Sequence, residues 1–144
     1  MFSSFNISAS GLTAQRLRLD VIANNLANAE TTRTANGGPY RRQVPLFASR
    51  EQGSFVEYLG SALGQPTAAG VRVVGLVYDR SPLRRVYQPG HPDADETGYV
   101  LYPNISVVAE MVDMISASRS YEANAAAFNA AKGMALQALE LGRR

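Results

Sequence analysis

The feature that most constrains this chain is a long apolar stripe near its C-terminus. Apolar or small residues recur at multiples of seven in three neighbouring columns, which are Val108, Ile115 and Leu136; Met111, Ser118, Ala125 and Leu139; and Met114, Tyr121, Phe128 and Ala135. Repetition at this spacing keeps one side of an α-helix apolar, as in a coiled coil. Unbroken, roughly five heptads extend about 55 Å. The pattern predicts a helix over residues 104–144 that packs against another helix, in its own chain or in another subunit.

A second amphipathic helix is predicted over residues 1–32. One face carries a column of large apolar side chains, which are Phe5, Leu12, Leu19, Ile22 and Leu26. A further apolar strip lies nearly opposite and consists of Ala14, Leu17 and Val21. A helix with two apolar strips has to be covered on two sides. We expect the C-terminal helix to pack on one apolar strip, and helices of adjacent subunits are the simplest candidates to pack on the other.

Strand and turn signals fill residues 33–103. The Gly37-Gly38-Pro39 run predicts a turn, and strands are predicted at 40–48, with an interruption at Pro45, and at 71–78, 83–87 and 99–102. The strands at 71–78 and 83–87 are expected to pair because only a short turn separates them. Glycines scattered through 51–70 predict a mobile loop, and Asn104 is the expected helix cap. The expectation is an α+β fold in which long terminal helices form an antiparallel, coiled-coil-like pair beside a small β unit.

Composition excludes several classes of protein. The chain has fourteen basic and twelve acidic residues, which gives a net charge of +2. It therefore lacks the excess of positive charge that is typical of a nucleic-acid-binding protein. Without cysteine it forms no disulfide and no thiolate metal site. No apolar run approaches the roughly 18 residues that span a bilayer, and the N-terminus lacks the pattern of a cleaved signal peptide.

One loop carries side chains that could bind a metal ion, namely His91, Asp93, Asp95 and Glu96. Their spacing has no defined ligand scaffold, and the surrounding prolines and glycine favour a rigid turn. A Ser-His-Asp triad would have to use His91 without a nucleophile-elbow motif, and no glycine-rich segment joins a strand to a helix as in a phosphate-binding loop. We therefore predict no enzymatic activity, no catalytic, cofactor or metal site and no small-molecule substrate.

Several short motifs resemble one family. The run ANNLANA at 23–29 resembles the N-terminal signature of the axial proteins of the bacterial flagellum. Similarity to the proximal-rod family FlgC in particular comes from GPYR at 38–41, YQPGHP at 87–92, GYV at 98–100, PNI at 103–105 and EMVDMISASRSY at 110–121. These segments follow the order and approximate spacing of that family and cover the chain from end to end.

The resemblance implies a structural subunit of the rod that spans the periplasm, exported through the flagellar type III apparatus without a cleaved signal. It implies that the paired terminal helices line an inner tube around the export channel. Its implied partners are other copies of the chain, other rod proteins, the export apparatus and the basal-body rings. The alternative is a self-contained coiled-coil adaptor that binds few partners and builds no filament.

Assembly through the helices defines a set of candidate interface residues. In the N-terminal helix they are Phe5, Leu12, Leu17, Leu19, Val21, Ile22, Asn24, Asn25, Leu26 and Asn28. In the C-terminal helix they are Val108, Met111, Val112, Ile115, Tyr121, Ala125, Phe128, Leu136 and Leu139.

Overall fold

Two long helices flank four short strands in a computed structural model that describes residues 2–35, 37–50 and 70–142. In chain order the elements are α1 (Phe2–Ala27), β1 (Gln43–Ser49), β2 (Val71–Tyr78), β3 (Arg84–Tyr87), β4 (Tyr99–Tyr102) and α2 (Val107–Leu141). The predicted α+β class is confirmed. Apart from Gly70, the predicted mobile loop at 51–70 lies outside the described residues.

The chain divides into two compact units. The first unit consists of Met1–Arg16, Leu46–Val74 and Ser118–Arg144, and the second consists of Leu17–Pro45 and Gly75–Ala117. Each unit therefore contains part of α1 and part of α2.

In the first unit, α1 packs on α2 through small and aromatic side chains. The Phe5 and Phe128 rings meet edge to face, with centroids 5.2 Å apart, a geometry that aromatic pairs favour. Further along α1, Gly11 lies against the carboxamide of Asn124, and a Cβ at position 11 would stand 2.7 Å from Asn124 Oδ1. Gly11 is thus required for close packing inside a helix that it would otherwise weaken.

In the second unit, polar side chains join the same two helices. Arg18 pairs with Asp113 at 3.1 Å, and Asn25 donates to Glu110 at 3.2 Å. Within each unit, residues with higher numbers in α1 contact residues with lower numbers in α2. The helices are therefore antiparallel, as the sequence predicted. The buried apolar side chains of this unit include Val21, Ile22, Ala29, Val100, Tyr102, Pro103, Ile105 and Ala117.

Helix α1 ends at Ala27, earlier than the predicted boundary at 32. The last turn of a helix leaves carbonyl groups without partners. The Asn24 carbonyl accepts from both the N–H and the Nδ2 of Asn28, at 3.1 and 2.9 Å. Beyond it the backbone bonds shorten to three residues, since the Ala29 N–H donates to the Leu26 carbonyl at 3.3 Å, and such a tightened turn ends the helix.

The cap of α2 is Ser106, which corrects the prediction of Asn104. Ser106 Oγ accepts a hydrogen bond from the Ala109 N–H at 3.4 Å, the usual contact of a capping residue. Asn104 instead bonds to two distant segments, since its Oδ1 accepts from the Arg42 N–H at 3.2 Å and its Nδ2 donates to the Asp79 carbonyl at 3.4 Å. It therefore ties these backbone segments together and leaves the helix end to Ser106.

The strands form two separate two-stranded sheets, β1 with β2 and β3 with β4. The predicted pairing of 71–78 with 83–87 is wrong. The Asp79 N–H donates to the Arg42 carbonyl at 2.8 Å, and Asp79 Oδ1 accepts from the N–H and hydroxyl of Ser81. This turn diverts the chain after β2, so that β3 pairs with β4 from Arg84 opposite Tyr102 to Tyr87 opposite Tyr99.

Pro45 does not interrupt β1, contrary to the prediction. The strand runs through it from Gln43 to Ser49. Proline lacks an N–H for a sheet and is tolerated at a sheet edge. In a sheet of two strands both strands are edges, so β1 accommodates the residue.

Candidate assembly surface

Two buried polar side chains, Asn25 and Glu110, fix α1 and α2 in the second unit. Each is only 1 % exposed. Asn25 Nδ2 donates to the Gln43 carbonyl at 2.8 Å and to Glu110 Oε2 at 3.2 Å. Its Oδ1 accepts from the Gln43 N–H at 2.9 Å and from the Tyr40 hydroxyl at 3.2 Å. Buried amides need such complete pairing, so Asn25 holds the start of β1 against both helices.

Two arginines neutralise the carboxylates of α2 beside Asn25. Arg42 Nε lies 2.5 Å from Glu110 Oε1, and its terminal nitrogen lies 3.3 Å from Asp113 Oδ2. Arg18 reaches the other oxygen of Asp113 at 3.1 Å. A buried carboxylate without a cation is costly, so this arrangement lets Glu110 remain in the interior. Asn25, Tyr40, Arg42, Glu110 and Asp113 are called the polar cluster below.

The surroundings of Tyr40 in the polar cluster change the pKa of its hydroxyl group. Its pKa is raised, chiefly because burial disfavours the phenolate, and further by the electrostatic effects of Tyr78 and Glu110. The hydroxyl therefore stays protonated and serves as a donor to Asn25.

The opposite side of α2 in this unit presents a continuous apolar surface. Val108, Met111, Val112 and Ile115 are between 53 % and 73 % exposed. Their spacing places them on one side of a helix over two turns. Glu110 lies between them in sequence but points inward. We call these four residues the α2 outer patch.

The predicted interface residues divide according to the helix that carries them. In α1 the structure buries Val21, Ile22 and Asn25, which therefore contribute to the interior of the second unit and, in this conformation, form no surface. Most of the others are half-buried, namely Phe5, Leu12, Leu17, Leu19, Leu26 and Asn28, whereas Asn24 is exposed.

In α2 the predicted residues are largely on the surface. Besides the α2 outer patch, Tyr121, Leu136 and Leu139 are exposed, while Ala125 and Phe128 are half-buried. The uncovered apolar area among the predicted residues thus lies on the C-terminal helix. Assembly through both helices stays a prediction.

Sequence reasoning missed the charged half of the polar cluster. Glu110 and Asp113 interrupt the apolar sequence at the start of α2, and Arg42 lies far from them in the chain, beside Arg41. A carboxylate within an otherwise apolar helical segment was the available signal. Because a carboxylate is buried only when it is paired, such a residue indicates a partner cation elsewhere in the chain.

The His91 loop is a structured turn. His91 Nδ1 accepts from the Asp93 N–H at 3.1 Å, and Asp95 Oδ1 accepts from the Thr97 and Tyr99 N–H groups at 2.9 Å. The pKa of Asp95 is lowered, first by its hydrogen bond from the Thr97 hydroxyl and then by that from the Tyr99 N–H. Within residues 2–35, 37–50 and 70–142, no group of three or more His, Cys, Asp or Glu side chains is arranged to hold a metal ion.

Among the described helices, none combines the length and apolar character needed to cross a bilayer.

Comparisons with known proteins agree with the motif resemblance. Residues 5–33 match the family described as Flagella basal body rod protein, and residues 96–141 match Flagellar basal body rod FlgEFG protein C-terminal. The flagellar basal-body rod protein FlgC of Borreliella burgdorferi is 51% identical, with 98% of this chain and 97% of that protein covered. The chain belongs to the FlgC family of flagellar basal-body rod proteins.

Further FlgC proteins extend the comparison. FlgC of Bacillus subtilis is 47% identical, with 99% of this chain and 98% of the relative covered, and FlgC of Salmonella typhimurium is 42% identical over the same shares. Membership of the FlgC family makes the chain a structural subunit of the flagellar basal-body rod. The two family matches include Asn25 and Glu110 respectively, so the polar cluster joins the two family-matched segments of the chain.

Proposed function

We propose that this chain polymerises in the rod through the α2 outer patch, which packs against helices of neighbouring subunits. The observation that supports the proposal is the exposure of Val108, Met111, Val112 and Ile115, each more than half open to solvent. Full burial of one such side chain stabilises by about 1.5–3 kcal/mol. Covering all four on assembly therefore supplies a substantial part of the energy that a stable contact requires.

Spacing makes this surface suited to a helical partner. Residues at i, i+3, i+4 and i+7 are the anchors by which one helix docks against another or into a groove. The polar cluster on the opposite side of the same turns holds Glu110 inward, so the helix presents the patch in one orientation. Contacts of a head-to-tail kind between different surfaces do not close and therefore generate a filament.

The first unit has exposed apolar side chains of its own on the C-terminal part of α2. Four large apolar side chains are exposed there, namely Met134, Leu136, Leu139 and Leu141. The helix also includes many alanines, which permit close approach of a second helix. We propose these residues as a second, separate assembly contact because they have the same combination of apolar character and exposure.

The proposed place of the subunit follows from its family. It lies in the periplasmic part of the flagellar basal body and contacts other copies of itself and other rod proteins. The type III export apparatus delivers it without a cleaved signal, and its terminal helices surround the export channel. Contact with the basal-body rings belongs to the same proposal.

Ile115→Asp tests the α2 outer patch. The carboxylate is tolerated on a free surface but is costly when covered by a neighbouring helix. We expect the variant to fold, to remain at normal abundance and to lose both incorporation into basal bodies and swimming in soft agar, in a strain that lacks its own homologue. Ser49→Asp, at an exposed position of β1 outside the proposed contacts, is the control and should retain motility.

Two results would contradict the proposal. Normal basal bodies with the Ile115→Asp variant would show that the patch remains uncovered. Sedimentation of the purified wild-type chain with its rod partners at one fixed, small stoichiometry would instead favour the self-contained adaptor.

A further inference from the structure

The first unit contains an apolar cleft that is separate from the α2 outer patch. Its volume is 450 Å³, within the range of about 300–1,000 Å³ that is usual for binding pockets. The lining comes from both helices and from β1 and β2, and comprises Ile7, Gly11, Ala14, Gln15, Phe47, Gly70, Val71 and Asn124. The walls are thus mainly apolar, with two carboxamides among them.

Close packing shapes this cleft at two glycines. A Cβ at Gly11 would press on Asn124 Oδ1, and a Cβ at Gly70 would collide with Ser10 Oγ. Gly70 also has a φ of +91°, a conformation that other residues rarely adopt. Ser10 Oγ accepts a hydrogen bond from the Val71 N–H at 3.1 Å, which fixes β2 against α1. The cleft is therefore built into the unit by specific contacts.

One polar atom of the lining has no partner. Gln15 Oε1 is buried and accepts no hydrogen bond among the residues that the structure describes. An unpaired buried acceptor is unfavourable and calls for an explanation. The terminal torsion of glutamine turns easily, so the oxygen can exchange places with the amide nitrogen and meet a donor that enters the cleft.

The apolar wall is also incompletely covered. Phe47 is 40 % exposed, although it lines a cleft whose other walls include the buried Ala14. An apolar ring placed in the cleft would remove Phe47 from water and gain stability in proportion to the area covered. The site thus favours a group that combines an apolar ring with one hydrogen-bond donor.

We propose that the cleft receives a tyrosine side chain from a second copy of this chain, with the ring on Phe47 and the hydroxyl donating to Gln15 Oε1. Tyrosine combines an apolar ring with a polar end. Among the described residues, the two most exposed tyrosines are Tyr78 at 59 % and Tyr87 at 62 %, both in the second unit, whereas the cleft belongs to the first. The contact therefore joins two different surfaces, so that each copy can bind one neighbour through its cleft and another through its tyrosine.

Small aromatic probes test the cleft without any assembly. p-Cresol reproduces the tyrosine side chain, and toluene lacks only its hydroxyl. In NMR titrations of the dilute, full-length chain, we expect p-cresol to shift the amide signals of Gly11 and Val71 and to bind roughly fivefold more tightly than toluene. Gln15→Met should remove this preference, whereas Gln137→Met, at an exposed position of α2, should preserve it. Absence of p-cresol binding, or equal binding of the two probes to the wild type, would overturn the proposal.

Self-association identifies the source of the tyrosine. In sedimentation experiments, the combined Tyr78→Phe and Tyr87→Phe variant should associate roughly fivefold more weakly than the wild type. Adding Gln15→Met should cause no further loss, because the same hydrogen bond is already missing. Unchanged association of the tyrosine variant, or a full additional loss with Gln15→Met, would rule out these tyrosines as the occupants.

The two proposals fail separately. The cleft proposal relies on the proposed polymerisation only for the second copy. If the α2 outer patch is not an interface, Ile115→Asp leaves assembly intact, while p-cresol binding is unaffected. If the cleft is not a tyrosine site, p-cresol fails to bind even though Ile115→Asp abolishes incorporation into the rod.

Discussion

The Asn25 carboxamide donates a hydrogen bond to the buried Glu110 carboxylate at 3.2 Å, across 85 positions of the sequence. Asn25 belongs to the short asparagine-rich run at the end of α1, and Glu110 belongs to the first turns of α2. The family signature at 23–29 thus has a structural role that its composition alone does not reveal. It supplies the amide that links the two helices to the start of β1.

Asn25→Ala should reduce the free energy of unfolding by about 3 kcal/mol, because it leaves several buried groups without partners. Those groups include the Gln43 N–H and carbonyl. Urea denaturation followed by circular dichroism measures the loss. Asn24→Ala, at the exposed neighbouring position, should cost less than about 0.5 kcal/mol. Equal losses for the two variants would show that the buried amide has no special role.

Arg42→Met should destabilise the chain by about 3–5 kcal/mol, because it leaves the Glu110 carboxylate buried without its cation. The neighbouring Arg41 is exposed, so Arg41→Met should have a small effect. Adding Glu110→Gln to Arg42→Met removes the buried charge and should recover much of the loss. A double-mutant cycle by urea denaturation gives the coupling energy, and strictly additive losses would contradict the ion pair.

Alanine at the two helical glycines Gly11 and Gly133 should have different effects. At Gly133 a Cβ meets open space, so Gly133→Ala should raise the free energy of unfolding by about 1 kcal/mol through helix propensity. At Gly11 the new Cβ presses on Asn124, and this gain should be cancelled or reversed. Thermal unfolding of both variants provides the measurement. Asn124→Ala combined with Gly11→Ala should relieve the clash, and a stabilising effect of Gly11→Ala alone would refute it.

Asp95→Asn should alter the acid sensitivity of the chain. Hydrogen bonds from Thr97 and Tyr99 lower the pKa of Asp95 from 3.8. A lowered folded-state pKa contributes stability that is present above the unfolded-state pKa and is lost as the pH falls through the folded-state pKa. We therefore expect the wild type to lose stability relative to the variant as the pH falls below about 4. Thermal unfolding from pH 7 to pH 2 tests this, and parallel curves for the two proteins would contradict it.

The helices could be predicted because their signal is local. The seven-residue repeat around Ile115 and the apolar face around Leu19 identify both helices. The strand at 99–102 was also placed correctly, since Tyr99 to Tyr102 is a compact run after a loop of glycine and proline. Periodicity of this kind depends only on residues that are near one another in sequence.

The polar cluster and the sheet pairing could not be predicted for the opposite reason. Arg42 and Glu110 are 68 positions apart, and nothing in either neighbourhood specifies the other. The short segment after Tyr78 favoured a hairpin, but the turn at Asp79 is tied to Arg42 and Asn104. Which strands pair was therefore decided by contacts with distant parts of the chain.

Glu110 and Met111 are adjacent in sequence yet differ in exposure, at 1 % and 53 %, because successive side chains of α2 point about 100° apart. Genetic screens should therefore separate them into two phenotypes. Lesions at the inward position lower the cellular amount of the protein through proteolysis of unfolded chains. Lesions at the outward position leave the amount unchanged and stop the cell from swimming. A scan along residues 107–117 would alternate between these phenotypes with the period of the helix, and would map the buried and assembling sides of α2 in living cells.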